Sequence, residues 1–514
     1  MIRYTPSNQL TLEGFKHPFD QELSPGNRWV KLAKWIPWDD LASVYARRLR
    51  SDSGRGSIDI RMVIGALIVK HKLGLDDRGT VAMISENIYL QYFCGLSSFQ
   101  TKEPFHPTVF VDIRKRIGAR EFDAWNTQII EKVDSLKSKR KRLISKQKDT
   151  NDQDGNSTTS HKGTMKIDAT VANQKIDFPT DAKLLNRARE ESERIIDILY
   201  SESGLKIKPR TYPRLARKEY MSFSKSKKKT KRAIRKTIGK QLRYLQRNLG
   251  HIEKLLDEIE SKGKSTRFPS SPGDQKIYWV IQHVYDQQKR MYDEQTHRHP
   301  DRILNIYQPY VRPIPTGKQK AATEFGAKIS ASEVDGMTGV EPISWDNFNE
   351  SIDLKLPVRM FKETYRYYPE LLLADRIYLN RNNRKWLKEK GIRMVGKPLG
   401  RHPKVKQTAY HKRKIRKEQN QRNLIEGKFG QGKNTYGLNN MQAKRSDTSK
   451  SWIAAIFFVM NIQKLFKVAT KKAVFYLNFL KLSPHQTSRI HHYTQKPLCQ
   501  HFQFKLKPEF FNKN

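Results

Sequence analysis

The stretch Leu371–Asn380, LLLADRIYLN, places four residues suited to a buried strand directly before an acid, Asp375. After it, NRNNRKWLKEKG predicts a helix that ends at Gly391, and IRMVG predicts a short strand. Strand, helix and strand in this order indicate a parallel pair joined by a right-handed crossover. Asp375 would then lie at the C-terminal end of a strand in an α/β sheet, where open sheets usually place their sites.

Asp375 has two interpretations: it can cap the next turn, which is the commoner role, or it can project into a cleft as a metal ligand. Two more acids favour the second interpretation. Asp168 lies in MKIDATV, whose alternating pattern predicts a strand. Glu426 lies in QRNLIEGKFGQGK, where Arg422, Glu426 and Lys433 share one helical face. Three glycines weaken that helix, so we expect Lys433 just beyond its end.

Charge predicts the partner. The chain has 514 residues with 99 Lys and Arg against 52 Asp and Glu, a net charge of +47. Such an excess favours a polyanion, with nucleic acid as the leading candidate. A membrane surface is the alternative, but the best apolar run, residues 451–466, is interrupted by polar residues and predicts a core or interface helix.

Cysteine usage and the N-terminus bear on the compartment. The two cysteines, Cys94 and Cys499, allow no disulfide framework and suit a reducing cytosol. The N-terminus has no continuous apolar segment of the kind found in secretory signals. We therefore expect a cytoplasmic protein associated with the nucleoid.

Three acids in a strongly basic protein indicate metal-dependent cleavage of phosphodiester bonds. Asp168, Asp375 and Glu426 on two strands and a helix could hold two Mg²⁺ ions, with Mn²⁺ as a substitute, about 3.5 to 4 Å apart. No P-loop motif is present, so ATP is not expected.

Residues 1–135 predict a helical N-terminal domain for DNA binding or dimerisation. The stretches IDIRMVIGALIVKHKLG and TVAMISENIYLQYFCGL each predict a helix, the second ending at Gly95. A third helix follows Thr108, a candidate cap, and carries Arg114, Lys115 and Arg116 in its last turns. A helix-turn-helix-like DNA module and an ordinary three-helix bundle with a solvated basic end fit this pattern equally well.

Residues 136–163 predict a flexible linker, and residues 164–447 an α/β catalytic domain. A basic helical insertion occupies about 185–310; its charged face either tracks phosphates or is simply solvated. GAKISASEV, the turn Asp335–Gly336 and MTGVEPISW predict a hairpin. Residues 448–514 predict a C-terminal helix and a basic tail, whose His491, His492, Cys499 and His501 match no common zinc site.

Other polar residues compete with this assignment. Asp177 and Asp181 could replace Asp168 as the first acid, but both flank Pro179 in a predicted loop. Glu324 borders the hairpin and Asp335 lies in its turn, so both are expected at turn or surface positions. Trp345 could stack on an unpaired base, although packing beneath the hairpin is the simpler expectation.

KIDATV, FPTD, EFGAKIS, SWDNFNE, LADRIYLNRNNRKWLKEKGIR and RNLIEGKFGQGK, in that order, resemble bacterial insertion-sequence transposases of the DDE superfamily over about residues 20–470. The resemblance implies an RNase H-like core with an all-α N-terminal domain, and Asp168, Asp375 and Glu426 as the metal-binding triad. It implies metal-dependent cleavage of the element's double-stranded ends, strand transfer into target DNA, and a homodimer that brings two ends together.

The same resemblance adds expectations about the insertion and about two basic residues. The insertion follows the first strand, unlike that of the hairpin-forming relatives, which follows the second acid. Arg422 and Lys433 match the Arg and Lys of a Tyr-Arg-Glu-Lys signature, whose Tyr position holds Gln419. They are candidate phosphate contacts, the alternative being a salt bridge that holds the helix to the core.

An inactive DNA-binding regulator derived from a transposase, or a stand-alone nuclease, remains the alternative function.

Overall fold

A computed structural model describes eight segments of the chain: residues 2–6, 22–49, 56–145, 161–263, 268–316, 323–352, 354–395 and 408–481. The histidines and the cysteine of the predicted C-terminal tail, and residues 146–160 of the predicted linker, lie outside the described residues.

The N-terminal part of the chain is helical. Its helices are α1 (Arg28–Trp35), α2 (Trp38–Ala46), α3 (Ile60–Leu73), α4 (Asp77–Glu86), α5 (Ile88–Phe93), α6 (Val109–Arg116) and α7 (Ala119–Ser145). Helix α3 begins where the Asp59 carboxylate accepts from Arg61 and Met62, and it ends at Gly74 in the left-handed region.

Three local predictions in this region differ from the structure. The helix predicted to end at Gly95 is two helices, because the Asn87 side chain accepts from the amides of Tyr89 and Leu90 and starts α5. Thr108 makes no capping bond to α6. Helix α7 covers the first part of the predicted linker, where KSKRKRLIS has no Gly or Pro to end it.

The predicted α/β sheet is confirmed as a six-stranded mixed sheet. Its strands are β1 (Thr164–Asn173), β2 (Arg312–Pro315), β3 (Thr323–Val334), β4 (Met337–Ser344), β5 (Leu371–Ala374) and β6 (Arg393–Met394). The order is β6-β5-β1-β3, with β2 and β4 both on the outer edge of β3. Strand β1 is parallel to β5 and antiparallel to β3, and β5 is parallel to β6.

The hairpin, and the parallel strand pair joined by a helix, are present as predicted. Asp335 and Gly336 both have positive φ, 52° and 86°, as a tight turn between β3 and β4 requires. Helix α12 (Lys355–Tyr365) precedes β5, and helix α13 (Arg381–Glu389) links β5 to β6. A short 3-10 turn, Arg376–Tyr378, separates Asp375 from α13.

Helices cover both faces of the sheet. On one face, Met165, Ile167, Leu372 and Ala374 form a core with the side chains of α12 and α13. Helix α14 (Ala409–Thr435) lies on the other face, in contact with β1, β3 and β5. Because successive residues of a strand point to opposite faces, the strand residues that alternate with the members of this core point towards α14.

Helix α15 (Ser446–Lys481) joins the N-terminal helices to the sheet. It packs on α1, α3, α6, α7, α14 and β4 in one continuous apolar core. The stretch Ser446–Lys471 is longer than the apolar run of residues 451–466 noted in the sequence. By length and composition it could cross a membrane, but most of its apolar part is buried inside the protein. The buried Asn461 amide bonds Thr338 of β4 and Asn126 of α7.

The insertion after β1 is helical. It consists of α8 (Asp181–Ser203), α9 (Pro213–Lys225), α10 (Lys231–Ser261) and α11 (Pro272–Asp293). Leucines and isoleucines of α8, α10 and α11 form a second apolar core, separate from the one around α15. The insertion leaves the sheet after β1 and returns to it at β2.

Candidate active site

Asp168 and Asp375 lie side by side. Strand β1 pairs with β5 so that Ile167 lies opposite Ala374, and the next residue on each strand is the acid. Neighbouring strands are about 4.8 Å apart. Since Ile167 and Ala374 both point into the core under α12 and α13, the two acids lie on the face covered by α14.

Asp375 serves as a cap and is also exposed. Its Oδ1 accepts from the amide of Arg376 at 2.7 Å and so starts the 3-10 turn. Its side chain is open to solvent. Capping and a role in the site are therefore compatible in this residue.

Glu426 is connected to Asp168 through Arg422. The Arg422 guanidinium donates from Nη2 to Glu426 Oε1 at 2.9 Å and from Nη1 to Asp168 Oδ2 at 3.4 Å. The Glu426 side chain is 52% exposed and that of Asp168 17%. The Arg422 guanidinium is thus shared by two of the three predicted acids.

The charge of Asp168 is incompletely balanced. The pKa of this carboxyl is raised to about 6, mainly by burial and to a smaller extent by the charges of Glu350 and Asp375, although the Ala169 amide and Arg422 lower it. A cation close to Asp168 would favour its ionised form.

The donor chemistry fits a hard divalent cation. Mg²⁺ prefers a few carboxylates supplemented by water and phosphate oxygens, and Asp168, Asp375 and Glu426 converge on one face of the sheet. Within the described segments, however, no group of three or more His, Cys, Asp or Glu side chains is close enough to hold a metal ion. Arg422 donates to two of the carboxylates, so it would have to leave them for a metal ion to bind both.

Helix α14 is longer than the glycines suggested. It continues to Thr435, so Lys433 lies within the helix rather than beyond its end. The Lys433 ammonium pairs with the Glu324 carboxylate of β3, at 3.3 Å, and both side chains are largely buried. The expectation that Glu324 lies at a turn or on the surface is therefore wrong. Lys433 forms a salt bridge that holds the helix to the sheet.

Two more ion pairs, one between α14 and the sheet and one within the sheet, were not identified from the sequence. Arg393 of β6 makes two bonds to Glu418 of α14, at 2.7 and 3.0 Å. Lys166 of β1 pairs with Glu333 of β3 at 2.5 Å, with both side chains buried. The strand alternation places Lys166 on the face of Asp168 and could have suggested this pair.

The predicted basic residues of α6 are not equivalent. Arg114, Lys115 and Arg116 were candidates for DNA contacts, but Arg114 is buried and makes two bonds to Asp77, at 2.7 and 2.8 Å, so it does not face solvent. Lys115 and Arg116 are exposed, and Lys115 pairs with Asp112 on the same helix. None of the three lies among the contacts of the three acids.

The competing residues have other roles. Asp177 bonds Arg187 and Lys183, and Asp181 bonds Arg302 and Gln288 within the insertion. Asp335 is exposed in its turn and pairs with Lys137. Trp345 is buried against Tyr310, as the simpler expectation had it.

Comparisons with known proteins match two parts of the chain. A family model described as "Transposase DDE domain" matches residues 372–463, which include Asp375 and Glu426. A model described as "Transposase domain (DUF772)" matches residues 17–116. The "Uncharacterized protein ORF8 in nfe locus" of Rhizobium meliloti is 27% identical over 174 residues, covering 34% of this chain and 75% of that protein. No solved structure matches.

Proposed function

We propose that the chain is an insertion-sequence transposase of the DDE type, which cuts the DNA ends of its element and joins them to target DNA; the matches to two transposase domain models support this. The observation that carries the proposal is the position of Asp168 and Asp375 directly after the paired residues Ile167 and Ala374 of two neighbouring parallel strands, under a helix that carries Glu426. The matched DDE domain implies an RNase H-like core and divalent metal ions.

In this proposal Asp168, Asp375 and Glu426 hold the cations, with Mg²⁺ preferred and Mn²⁺ as a substitute. Bound there, a cation pair supplies activation of the attacking oxygen and stabilisation of the leaving oxygen. Arg422 leaves the carboxylates and becomes available to a phosphate oxygen. Lys433 instead keeps α14 on β3 through Glu324, as a positioning residue.

The other parts of the chain have proposed roles too. Residues 1–135 bind DNA or dimerise, with Lys115 and Arg116 as the exposed basic residues of α6. Residues 164–447 form the catalytic domain, and a homodimer on double-stranded DNA brings two element ends together. The enzyme acts in the bacterial cytoplasm, where this DNA is found.

The test is a cleavage and joining assay on duplex DNA that flanks the gene, with Mg²⁺ or Mn²⁺. Asp168→Asn and Asp375→Asn each should lower the rate by about 10³-fold or more, because metal binding supplies several kcal/mol and about 1.4 kcal/mol is tenfold. The matched control is Asp177→Asn, which alters a nearby exposed acid that pairs only with Arg187 and Lys183 among its described contacts.

Each outcome is informative. Normal cleavage by Asp375→Asn would remove that residue from the site, and loss of cleavage in Asp177→Asn would make it the first acid. Binding of element ends without cleavage by the wild type would favour an inactive regulator. Cleaved but unjoined ends would indicate a nuclease.

A further inference from the structure

The insertion contains an unusually basic segment. Residues 206–247 include 17 Lys and Arg and one acid, Glu219. The segment consists of residues 206–212, α9, the loop SKKKT at residues 226–230 and the first half of α10. We call residues 206–247 the basic arm.

The charge of α10 is confined to one end. Its first half, residues 231–247, has seven Lys and Arg and no acid. Its second half carries Glu253, Asp257, Glu258 and Glu260 with one lysine, Lys254. A helix that needed charge only for solubility would mix both signs along its length, so the segregation points to a function at the basic end.

Few of these charges are neutralised inside the protein. Lys208 pairs with Asp197, and Lys240 with Glu219. The remaining fifteen form no ion pair with a carboxylate in the part of the chain that the structure describes. Most of them are exposed. Such crowding of like charges opposes folding by self-repulsion and is relieved when a polyanion binds.

Helix α9 contributes little to the apolar core. Its single buried residue is Ala216, while Leu215 and Met221 are exposed. Burial of apolar area is the main stabilising contribution of most helices, and here it is small. The exposed side of α9 instead carries Arg214, Arg217 and Lys218.

Polar contacts fix α9 against α10 and give the arm a defined shape. Glu219 of α9 accepts from Tyr244 Oη at 3.1 Å and pairs with Lys240. The Arg247 guanidinium lies over the rings of Tyr212 and Tyr244, at 4.7 and 5.2 Å, and donates to the Thr211 carbonyl at 2.9 Å. The two helices are thus held together through Lys240 and Arg247, and the other cations of the basic arm take no part in these contacts.

We propose that the basic arm is a second DNA-binding surface, which holds duplex DNA by its phosphates and without reading bases. The inference rests on the proposed function for its substrate, DNA, but assigns a site separate from the carboxylates. The basic half of α10 is about 25 Å long, and duplex DNA presents one charge per about 1.7 Å of axis. Contacts from lysine and arginine to phosphates fix position but carry no sequence information.

The test uses the full chain in EDTA, so that binding is measured without cleavage. One variant is Lys227→Gln/Lys228→Gln/Lys229→Gln in the loop, and a second is Arg214→Gln/Arg217→Gln/Lys218→Gln on α9. The matched control is Lys254→Gln/Lys276→Gln/Lys289→Gln, three exposed lysines of the same insertion outside the arm. Fluorescence anisotropy gives the affinity for an element-end duplex and for a random duplex over a range of salt concentrations.

Each arm variant should bind both duplexes at least about tenfold more weakly, and the slope of log K against log salt should fall by about 2 to 3. The control should behave as the wild type. An unchanged affinity and slope in both arm variants would overturn the inference. A loss of affinity for the element-end duplex alone would contradict the proposal that the arm binds DNA without reading bases. Failure of the wild type to bind any DNA would instead contradict the proposed function.

A second measurement needs no variant. Lysine acetylation of the wild type, with and without random duplex, reports which ammonium groups DNA covers. Protection of Lys227, Lys228 and Lys229 with continued labelling of Lys254 and Lys276 is the expected result. Equal labelling of both groups in the presence of bound DNA would contradict the inference.

Discussion

Arg422 donates to the carboxylates of Asp168 and Glu426, two groups that would also bind a divalent cation. A guanidinium cannot lose its charge at neutral pH, so it competes with a metal ion for these oxygens. The same side chain is well shaped for a phosphate oxygen. We infer that Arg422 balances the acids before DNA and metal arrive.

The competition predicts two opposite effects of Arg422→Gln. Without DNA, the variant should bind Mn²⁺ about two- to fivefold more tightly, because partly exposed ion pairs contribute up to about 1 kcal/mol. With DNA and metal, it should cleave about 10²-fold more slowly, as expected when one donor to a developing charge is lost. Calorimetric titration with Mn²⁺ and the cleavage assay measure the two effects.

Arg413→Gln is the matched control, since Arg413 is an exposed arginine of the same helix. It should leave both the Mn²⁺ affinity and the cleavage rate unchanged. Weaker Mn²⁺ binding by Arg422→Gln would show that the arginine supports the carboxylates instead of competing with the ion.

Sequence alone suggested the three acids but not their contacts. Asp168 was expected within one strand and Asp375 at the C-terminal end of another, but nothing in the sequence predicted that these two strands are parallel neighbours. That Arg422 is shared, or that Lys433 pairs with a buried Glu324, depends on where α14 lies across β1 and β3. No periodicity within a helix specifies that placement.

Two glycines near the site have contrasting surroundings. In β3, a Cβ on Gly326 would lie 1.9 Å from the Ala172 carbonyl oxygen of β1. In α14, a Cβ on Gly430 would meet no atom within 4 Å. The first glycine lets two strands pair, whereas the second is not required by packing among the described residues.

Alanine substitution should therefore have opposite effects at the two positions. Gly326→Ala should lower the free energy of unfolding by about 1–3 kcal/mol or more, because β3 must shift away from β1. Gly430→Ala should raise it by up to about 1 kcal/mol, through helix propensity. Urea unfolding followed by circular dichroism measures both, and a neutral Gly326→Ala would contradict the close strand approach.

At the level of elements, the sequence predicted type better than boundaries. The strand pattern of β1 and the Asp-Gly turn were sufficient for the sheet and its hairpin. The break at Asn87 was missed because its apolar spacing continues across the capping residue. Helix α14 survives its glycines because Ile425 and Phe429 pack into the core around α15, a tertiary contribution that propensity does not include.

The two largest apolar cores among the described residues have different members. One joins the N-terminal helices, α14, α15 and one face of the sheet, and the other lies within the insertion. Residues that share a core tend to unfold together. Hydrogen exchange should therefore show a common opening free energy for α3, α7 and α15, and a different one for α8 and α10.

Two variants provide the comparison for this experiment. Leu465→Ala, at a buried position of α15, should accelerate exchange in the N-terminal helices and leave the insertion unaffected. Leu245→Ala, at a buried position of α10, should do the reverse. Accelerated exchange in both cores from either variant would mean that the molecule opens as a single unit.

This shared core could not be predicted from the sequence. Helix α15 is apolar on nearly all sides, so its pattern indicates burial without indicating partners. Its contacts with α3 and α7 join residues more than 300 positions apart, and no local signal encodes such a pairing.

The Asn461 amide makes its bonds to two elements at once, Asn126 of α7 and Thr338 of β4, in a site closed to water. Loss of either partner leaves a buried polar group unsatisfied, at a cost of about 1–3 kcal/mol. This junction ties α7 to the β3–β4 hairpin through α15. We therefore expect a displacement of the N-terminal helices on a bound partner to be transmitted to β3, which runs directly alongside the strand that carries Asp168.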